Sequence, residues 1–155
     1  MAMKNVANVP EQLARRLNRL VTDSEQQLLK VSEEDADMPL RAGGWNRKEE
    51  LGHLLDSAVN NHQRFVVATL EGKFRGPKYD QDGWVALHQY ADAPWNSLVK
   101  FWTGYNRRIA ELMDLIPSEK YGAICEIGDN EPVTLEFLME DYIRHTEHHL
   151  QKILG

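Results

Sequence analysis

The chain has 155 residues, a length that favours one domain, residues 1–155, with a sizeable core. Its 42% hydrophobic and 27% charged residues are typical of a globular protein, and its formal charge of −6 argues against nucleic acid or an anionic membrane as a partner. No apolar run approaches the roughly 20 residues of a membrane span. Cys125 is the only cysteine, which excludes a disulfide framework and makes a reducing cytoplasm the expected location.

Four segments of the chain carry apolar residues at helical spacing, with charged residues between them. In chain order, these segments are residues 9–31, 46–71, 93–115 and 134–153. Asn46 stands three residues before Glu49, which predicts a capping box at the start of the second helix. Pro94 fits the first turn of the third helix. Four helices of this length favour an all-α fold, a four-helix bundle.

Two connections between these helices are longer than usual. GKFRGPKYDQDGW follows the second helix, and IPSEKYGAICEIGDNEPV follows the third. Long connections in compact domains tend to be functional or to carry structure of their own. Within the later one, AICEI and EPV flank the turn residues GDN, which predicts a short β-hairpin between the third and fourth helices.

Histidines cluster in the fourth helix, in RHTEHHLQKI at residues 144–153. His145 and His149 are four residues apart and share one side of a helix, whereas His148 projects about 100° away from His149. Two imidazoles at that spacing can share a metal ion, but a third ligand is needed to hold it well. The alternative is a pair of surface histidines, since the dipole at a helix C-terminus favours cations.

The second helix carries a polar stripe that could supply the third ligand. On a helical wheel, His53, Asp56, Asn60 and Arg64 fall within about 80° of one another. A solvated helix face is the simpler interpretation of such a stripe. His62 falls inside the apolar stripe instead, and we expect it to be a hydrogen-bonded core histidine.

Three stretches resemble the DinB/YfiT-like superfamily of metalloenzymes. WNRKEELGHLLDSAVNNHQRF resembles its second helix and VTLEFLMEDYIRHTEHHLQKI its closing helix; YDQDGW resembles a loop of its YfiT-type members, the bacillithiol transferases. The likeness spans roughly residues 45–153. It implies a bundle that runs up-down-down-up. It also implies a divalent ion, zinc or nickel, bound at the positions of His53, His145 and His149.

The chain departs from YfiT-type members at Gly52 and Glu147, where those proteins carry additional histidines, so its substrate preference is expected to differ. Asp56 is the best placed carboxylate to accept a hydrogen bond from an imidazole N–H. Asn60 and Arg64 extend the same face and either contact a polar or anionic substrate or face solvent.

Three neutral imidazoles would leave the metal with an open coordination position, where it could acidify a bound water or deprotonate a bound thiol. Family analogy favours a thiol S-transferase that joins a low-molecular-weight thiol to an electrophile. The alternatives are a metal-dependent hydrolase and a non-catalytic bundle that binds metal or forms a homodimer. Cys125 is not expected to be a nucleophile, because no basic residue lies near it in sequence to lower the pKa of its thiol.

A ferritin-like di-iron centre would need two Glu-x-x-His pairs, and Glu50 with His53 is the only one in the sequence, which excludes that class. On the long connection after the second helix, Tyr79, Asp80 and Trp84 either cover the metal or anchor the connection by packing. For Trp84 we expect packing.

Overall fold

A computed structural model describes residues 9–155, with side chains from Gln12 onward. The first eight residues of the predicted domain 1–155 lie outside the described part. In chain order, the helices and strands are α1 (Val9–Leu29), α2 (Glu33–Asp37), α3 (Arg47–Glu71), β1 (Lys73–Gly76), α4 (Gln81–His88), α5 (Trp95–Leu115), β2 (Ile124–Ile127), β3 (Val133–Thr134) and α6 (Leu135–Leu154). Short 3-10 turns at Tyr90–Asp92 and Ser118–Lys120 precede α5 and β2.

The four predicted helices are confirmed as α1, α3, α5 and α6. Their bounds differ slightly from the prediction: α1 ends at Leu29 rather than at residue 31, and Pro94 is the N-cap of α5 rather than part of its first turn. The sequence did not predict α2 and α4, which lie inside connections. Helices as short as these show too few turns for an apolar repeat to stand out.

Local hydrogen bonds fix where the two site-bearing helices begin. At the start of α3, Asn46 Oδ1 accepts a hydrogen bond from the Glu49 backbone N–H at 2.9 Å, and Glu49 Oε1 accepts one from the Asn46 N–H at 3.2 Å. This is the predicted capping box. At the start of α6, the Thr134 hydroxyl accepts a hydrogen bond from the Phe137 N–H at 3.1 Å. Each cap satisfies a backbone N–H that has no partner within its helix.

The long helices pack as a bundle in which α1 and α3 each contact both α5 and α6. β1 directly follows α3, β2 follows α5, and the two strands pair in parallel. Parallel strands leaving α3 and α5 fit two helices that run in the same direction, joined by the crossover at residues 72–94. The predicted four-helix bundle with an up-down-down-up course is confirmed.

The connections between the helices form a three-stranded sheet in the order β1–β2–β3. The predicted hairpin is confirmed: β2 and β3 pair antiparallel, with Cys125 opposite Val133. The sequence missed β1, which pairs with β2 so that Lys73 stands opposite Ile124. The single apolar side chain of β1, Phe74, gives no alternating pattern from which a strand could be predicted.

The core lies between the four long helices and includes large buried side chains such as Leu17, Phe65, Trp102 and Met139. The first half of α3 is enclosed on every side, because every residue from 50 to 58 is buried. Both α4 and α6 pack against this helix, as does the 3-10 turn before α5. Within the described part of the chain, none of the helices combines the length and apolar character that a membrane crossing requires.

Burial of α3 corrects one expectation. The stripe that the helical wheel assigned to solvent is buried at His53 and Asp56, each 1% exposed, and at Arg64, 8% exposed. The crossover covers that face. A helical wheel gives the direction of a side chain but not the element that packs over it.

Candidate metal centre

Three histidines from two helices converge at one end of the bundle. His53 projects from the first half of α3, and His145 and His149 project from one side of α6. His53 Nε2 lies 3.3 Å from His145 Nε2, and each of the three residues offers a ring nitrogen within 4.8 Å of the others. The ring centroids are 4.4 to 5.2 Å apart. We call this group the histidine cluster.

The spacing of the histidine cluster fits a metal coordination sphere. Imidazole nitrogens bind zinc at about 2.0–2.1 Å, so two ligands of a tetrahedral site lie about 3.3 Å from each other. The distance between His53 Nε2 and His145 Nε2 has this value. Two ring nitrogens that face each other at this distance need either a shared proton or a shared cation. A divalent ion would satisfy His53, His145 and His149 together.

A carboxylate fixes the orientation of His149. Its Nδ1 lies 2.8 Å from Glu50 Oε2, and Glu50, like His149, is buried. An N–H at Nδ1 donates to this carboxylate, which leaves the Nε2 lone pair for the cluster. Burial raises the pKa of the Glu50 carboxyl, but the hydrogen bond from His149 and the nearby charge of Lys152 outweigh it, so the pKa lies below its usual value.

Burial keeps the other two imidazoles neutral. The pKa of His53 is lowered to about 4, first by burial and then by repulsion from His149 and His145. The pKa of His145 is also lowered to about 4, first by burial and then by the positive charge that His149 would carry. Neutral imidazoles have free lone pairs near pH 7, as metal ligands must.

Asp56, predicted from the sequence as a hydrogen-bond acceptor for an imidazole of the site, contacts residues of the crossover. Its Oδ1 accepts a hydrogen bond from the Tyr90 hydroxyl at 2.6 Å and lies 3.5 Å from His88 Nδ1. Burial raises the pKa of the Asp56 carboxyl, although the Tyr90 hydrogen bond opposes this shift. The carboxylate that sequence reasoning missed is Glu50, whose position three residues before His53 was visible only as part of a rejected di-iron motif.

The two other polar residues predicted on this face of α3 have separate positions. Asn60 is half-buried, and its side-chain amide donates to the Asp56 backbone carbonyl at 2.9 Å. Arg64 is buried, lines a cavity, and donates to the Pro77 carbonyl at 3.4 Å.

Two cavities flank the histidine cluster. The first has a volume of about 440 Å³ and reaches His145; Ser57, Arg64, Tyr79, Cys125 and Tyr142 also line it. The second has a volume of about 540 Å³ and reaches His149 and Glu50; Arg41, Trp45, Asp82 and Lys152 also line it. A metal ion in the cluster would therefore be open to small molecules from two directions.

The remaining histidines do not join the cluster. His62 is half-buried, and its Nδ1 lies 2.7 Å from the Tyr105 hydroxyl, in line with the expected hydrogen-bonded histidine. His88 Nδ1 lies 2.8 Å from the Trp84 carbonyl oxygen. His148 is exposed.

The three crossover residues considered in the sequence analysis, Tyr79, Asp80 and Trp84, have different contacts. Tyr79 lines the first cavity, and its ring packs edge-on against Trp84, with centroids 5.4 Å apart. Asp80 caps α4, because its Oδ1 accepts a hydrogen bond from the Gly83 N–H at 3.0 Å. Trp84 thus packs against other residues of the crossover. Cys125 is buried, and burial raises the pKa of its thiol despite the opposing charge of Arg64, so this thiol is poorly suited to act as a nucleophile.

The fold and the site define a class of protein: a four-helix bundle with a three-histidine cluster at one end. The family model of the DinB superfamily matches residues 9–153, and the chain belongs to that superfamily. The predicted resemblance is confirmed.

Individual relatives agree with this assignment. A protein of Bacillus pumilus is 29% identical over 149 residues, which cover 96% of this chain and 78% of the relative. YfiT of Bacillus subtilis is 28% identical over 124 residues, which cover 79% of this chain and 70% of the relative. Both carry the provisional name of metal-dependent hydrolase.

Solved structures share the fold. The structure of YfiT from Bacillus subtilis superposes with a TM-score of 0.84 at 21% identity, covering 99% of this chain and 89% of that one. A mycothiol-dependent maleylpyruvate isomerase superposes with a TM-score of 0.74 at 15% identity, covering 99% of this chain and 63% of that one.

Gly52 and Glu147, the two positions at which a departure from YfiT-type members is expected, have defined contacts here. A Cβ atom on Gly52 would lie 2.1 Å from Tyr90 Cδ2, so the tyrosine ring occupies the space that a larger residue would need. Glu147 accepts two hydrogen bonds from the Arg16 guanidinium, both at 3.1 Å. This chain therefore uses both positions to tie other elements to the helices that carry the cluster.

Proposed function

We propose that the protein is a divalent-metal-dependent enzyme that transfers a low-molecular-weight thiol to an electrophile. The observation that carries this proposal is the convergence of His53, His145 and His149, two of them with strongly lowered pKa values, beside two cavities. Zinc and nickel are the ions proposed, since imidazole suits both.

The open position is what makes the cluster suited to catalysis. Structural zinc sites are closed by four protein ligands, whereas three ligands leave a place for a substrate. A divalent ion held there would supply Lewis-acid chemistry that lowers the pKa of a thiol or a water molecule. Glu50 orients His149 for this purpose, and the enclosure of the first half of α3 keeps bulk water from His53.

Thiol is proposed in preference to water because of the cavity and of one structural neighbour. The neighbour is the isomerase, which is described as mycothiol-dependent and shares the fold. The first cavity, about 440 Å³, is large enough for more than a water molecule. In the proposed reaction, the sulfur forms a bond to the electrophilic carbon, the leaving group departs with its electron pair, and the thiol proton passes to solvent.

A metal-dependent hydrolase is the second candidate, and the names carried by the Bacillus relatives favour it. The same cluster would serve, with water in place of the thiol.

One assay separates the two reactions. Purified protein is stripped with a chelator, reloaded with zinc or nickel, and incubated with a panel of thiols and a model alkyl halide. We expect loss of free thiol to follow the metal and to be unaffected by Cys125→Ser. Cleavage of an ester or amide without thiol consumption would favour the hydrolase. Full activity after chelation together with loss of activity in Cys125→Ser would contradict both metal-based candidates.

A further inference from the structure

Arg64 is a buried cation that lacks a protein counterion. It lies in the second half of α3, and only 8% of its surface is exposed. Among residues whose side chains are described, its one hydrogen bond goes to the Pro77 carbonyl, at a long 3.4 Å, and no carboxylate pairs with it. A guanidinium carries several N–H donors in a planar fork, so most of them are left without a protein acceptor.

The guanidinium faces the first cavity, which runs along the groove between α3 and α6. Ser57, Asn61 and Arg64 line it from successive turns of α3, and Leu138, Tyr142 and His145 line it from α6. His145, at one end, belongs to the histidine cluster. The rise of α3 between Ser57 and Arg64 is about 10 Å, so the cavity joins the cluster to a remote cation.

Among the arginine, lysine and carboxylate side chains that line this cavity, Arg64 is the buried one. Two carboxylates on its wall, Glu131 and Asp141, are exposed to solvent, and Asp141 pairs with Arg144 at 3.3 Å. Lys78, also on the wall, pairs with Asp129 at 2.7 Å. A desolvated charge without a partner is costly, and a ligand carboxylate in a bidentate contact would remove that cost.

We propose that Arg64 binds the carboxylate of an elongated thiol whose sulfur reaches the histidine cluster. The inference rests on the thiol chemistry proposed above and names its substrate class: a mercapto acid whose carboxylate and sulfur lie at opposite ends of the first cavity. Arg64 thus acts as a specificity-determining residue. Because a guanidinium stays protonated at all ordinary pH values, this contact holds wherever the ligand carboxylate is ionised.

The test uses protein loaded with Co²⁺, which reports sulfur binding through a sulfur-to-cobalt absorption band. Mercaptopropionate, mercaptohexanoate and mercaptoundecanoate, each with a terminal thiol, are titrated against the mercapto alcohols of the same length. We expect one chain length at which the acid binds at least about tenfold more tightly than the alcohol. Arg64→Gln should remove this preference. Arg64→Lys should keep part of it, since a point charge remains without the planar fork. Arg75→Gln, at an exposed arginine paired with Glu126, should leave it unchanged.

Separate outcomes distinguish the two proposals. Equal binding of acid and alcohol by the unsubstituted protein at every length, with a clear cobalt band, would overturn the role of Arg64 and leave the thiol chemistry intact. If no thiol produced the band, the thiol chemistry would fail. In that case, calorimetric titration of the metal-free protein with hexanoate shows whether Arg64 still binds a carboxylate: binding that Arg64→Gln abolishes would preserve the anion site, and no binding would overturn it. Should Arg64→Gln not fold, the comparison of Arg64→Lys with the unsubstituted protein decides between these outcomes.

Discussion

Glu50 and Asp56 stand one turn before and one turn after His53, about 60° to either side of it on α3. Both are buried, yet they have different partners. Glu50 contacts His149 on α6, whereas Asp56 contacts Tyr90 and His88 on the crossover. The helix presents two equivalent carboxylates, and the tertiary structure assigns one to the histidine cluster and the other to the covering segment. The role of each therefore depends on the element that packs over it.

The largest effect should come from the cluster between these two carboxylates. His53→Ala, His145→Ala and His149→Ala should each abolish tight binding of about one divalent ion per chain, because two imidazoles hold a metal poorly. Elemental analysis after dialysis measures this directly. The matched controls are His62→Ala, His88→Ala and His148→Ala, which should keep the metal. Loss of metal in His148→Ala but not in His145→Ala would contradict the geometry of α6.

The two carboxylates themselves should separate metal affinity from stability. Glu50→Gln removes the charge that orients His149, and we expect a loss of about 10- to 100-fold in metal affinity. Tyr90→Phe leaves the Asp56 carboxylate without its hydrogen-bond donor and should lower the free energy of unfolding by about 1–3 kcal/mol, with little change in metal affinity. Metal titration and urea denaturation of both variants provide the measurement. If Tyr90→Phe weakened metal binding as much as Glu50→Gln, the two sides of His53 would not be independent.

The crossover contact can be probed at Gly52 as well. Gly52→Ala would place a Cβ atom 2.1 Å from Tyr90 Cδ2, so the ring must move. We expect the free energy of unfolding to fall by about 1–3 kcal/mol, as in other overpacked sites. In a Tyr90→Ala background the same substitution should cost clearly less, because the clashing ring is gone. Equal costs in the two backgrounds, measured by chemical denaturation, would show that Tyr90 does not fill this space.

The sequence predicts best where a local pattern determines the structure. Four apolar repeats located the long helices, the Asn46–Glu49 pair predicted the start of α3, and the turn residues GDN predicted the hairpin. Each of these signals acts over a few residues. β1 formed without such a signal, because its pairing with β2 joins segments that are distant in sequence.

The site was harder to predict from the sequence, because it also depends on contacts between segments that are distant in the chain. The spacing of His145 and His149 placed them on one side of α6 but could not show that the side is buried. The wheel of α3 placed His53 on a polar stripe, and only the family resemblance selected it as a partner for α6. Glu50 and Asp56 were equally spaced from His53, so no local pattern could tell which of them meets an imidazole.

The last prediction concerns pH, and its sign follows from the lowered pKa values of His53 and His145. Both lie near 4 in the folded protein, against an ordinary value of 6.5. Between these values the unfolded chain binds protons that the folded chain does not, so the free energy of unfolding falls as pH drops from about 6.5 to about 4. Above about pH 7 neither state is protonated at these residues, and their contribution is flat.

This shift also moves the pH at which protons compete with the metal. Ordinary imidazoles would release a metal ion as pH falls through the 6s, whereas His53 and His145 stay neutral and should hold it until about pH 5. Metal affinity measured by competition with a chelator at successive pH values tests this. His53→Ala removes one of the two imidazoles whose pKa is lowered, so the metal-free variant should lose less stability between pH 6.5 and 4 than the unsubstituted protein. A release midpoint in the 6s, together with an unchanged acid profile in His53→Ala, would mean that the imidazoles titrate as exposed groups and that the enclosure of α3 does not control their charge.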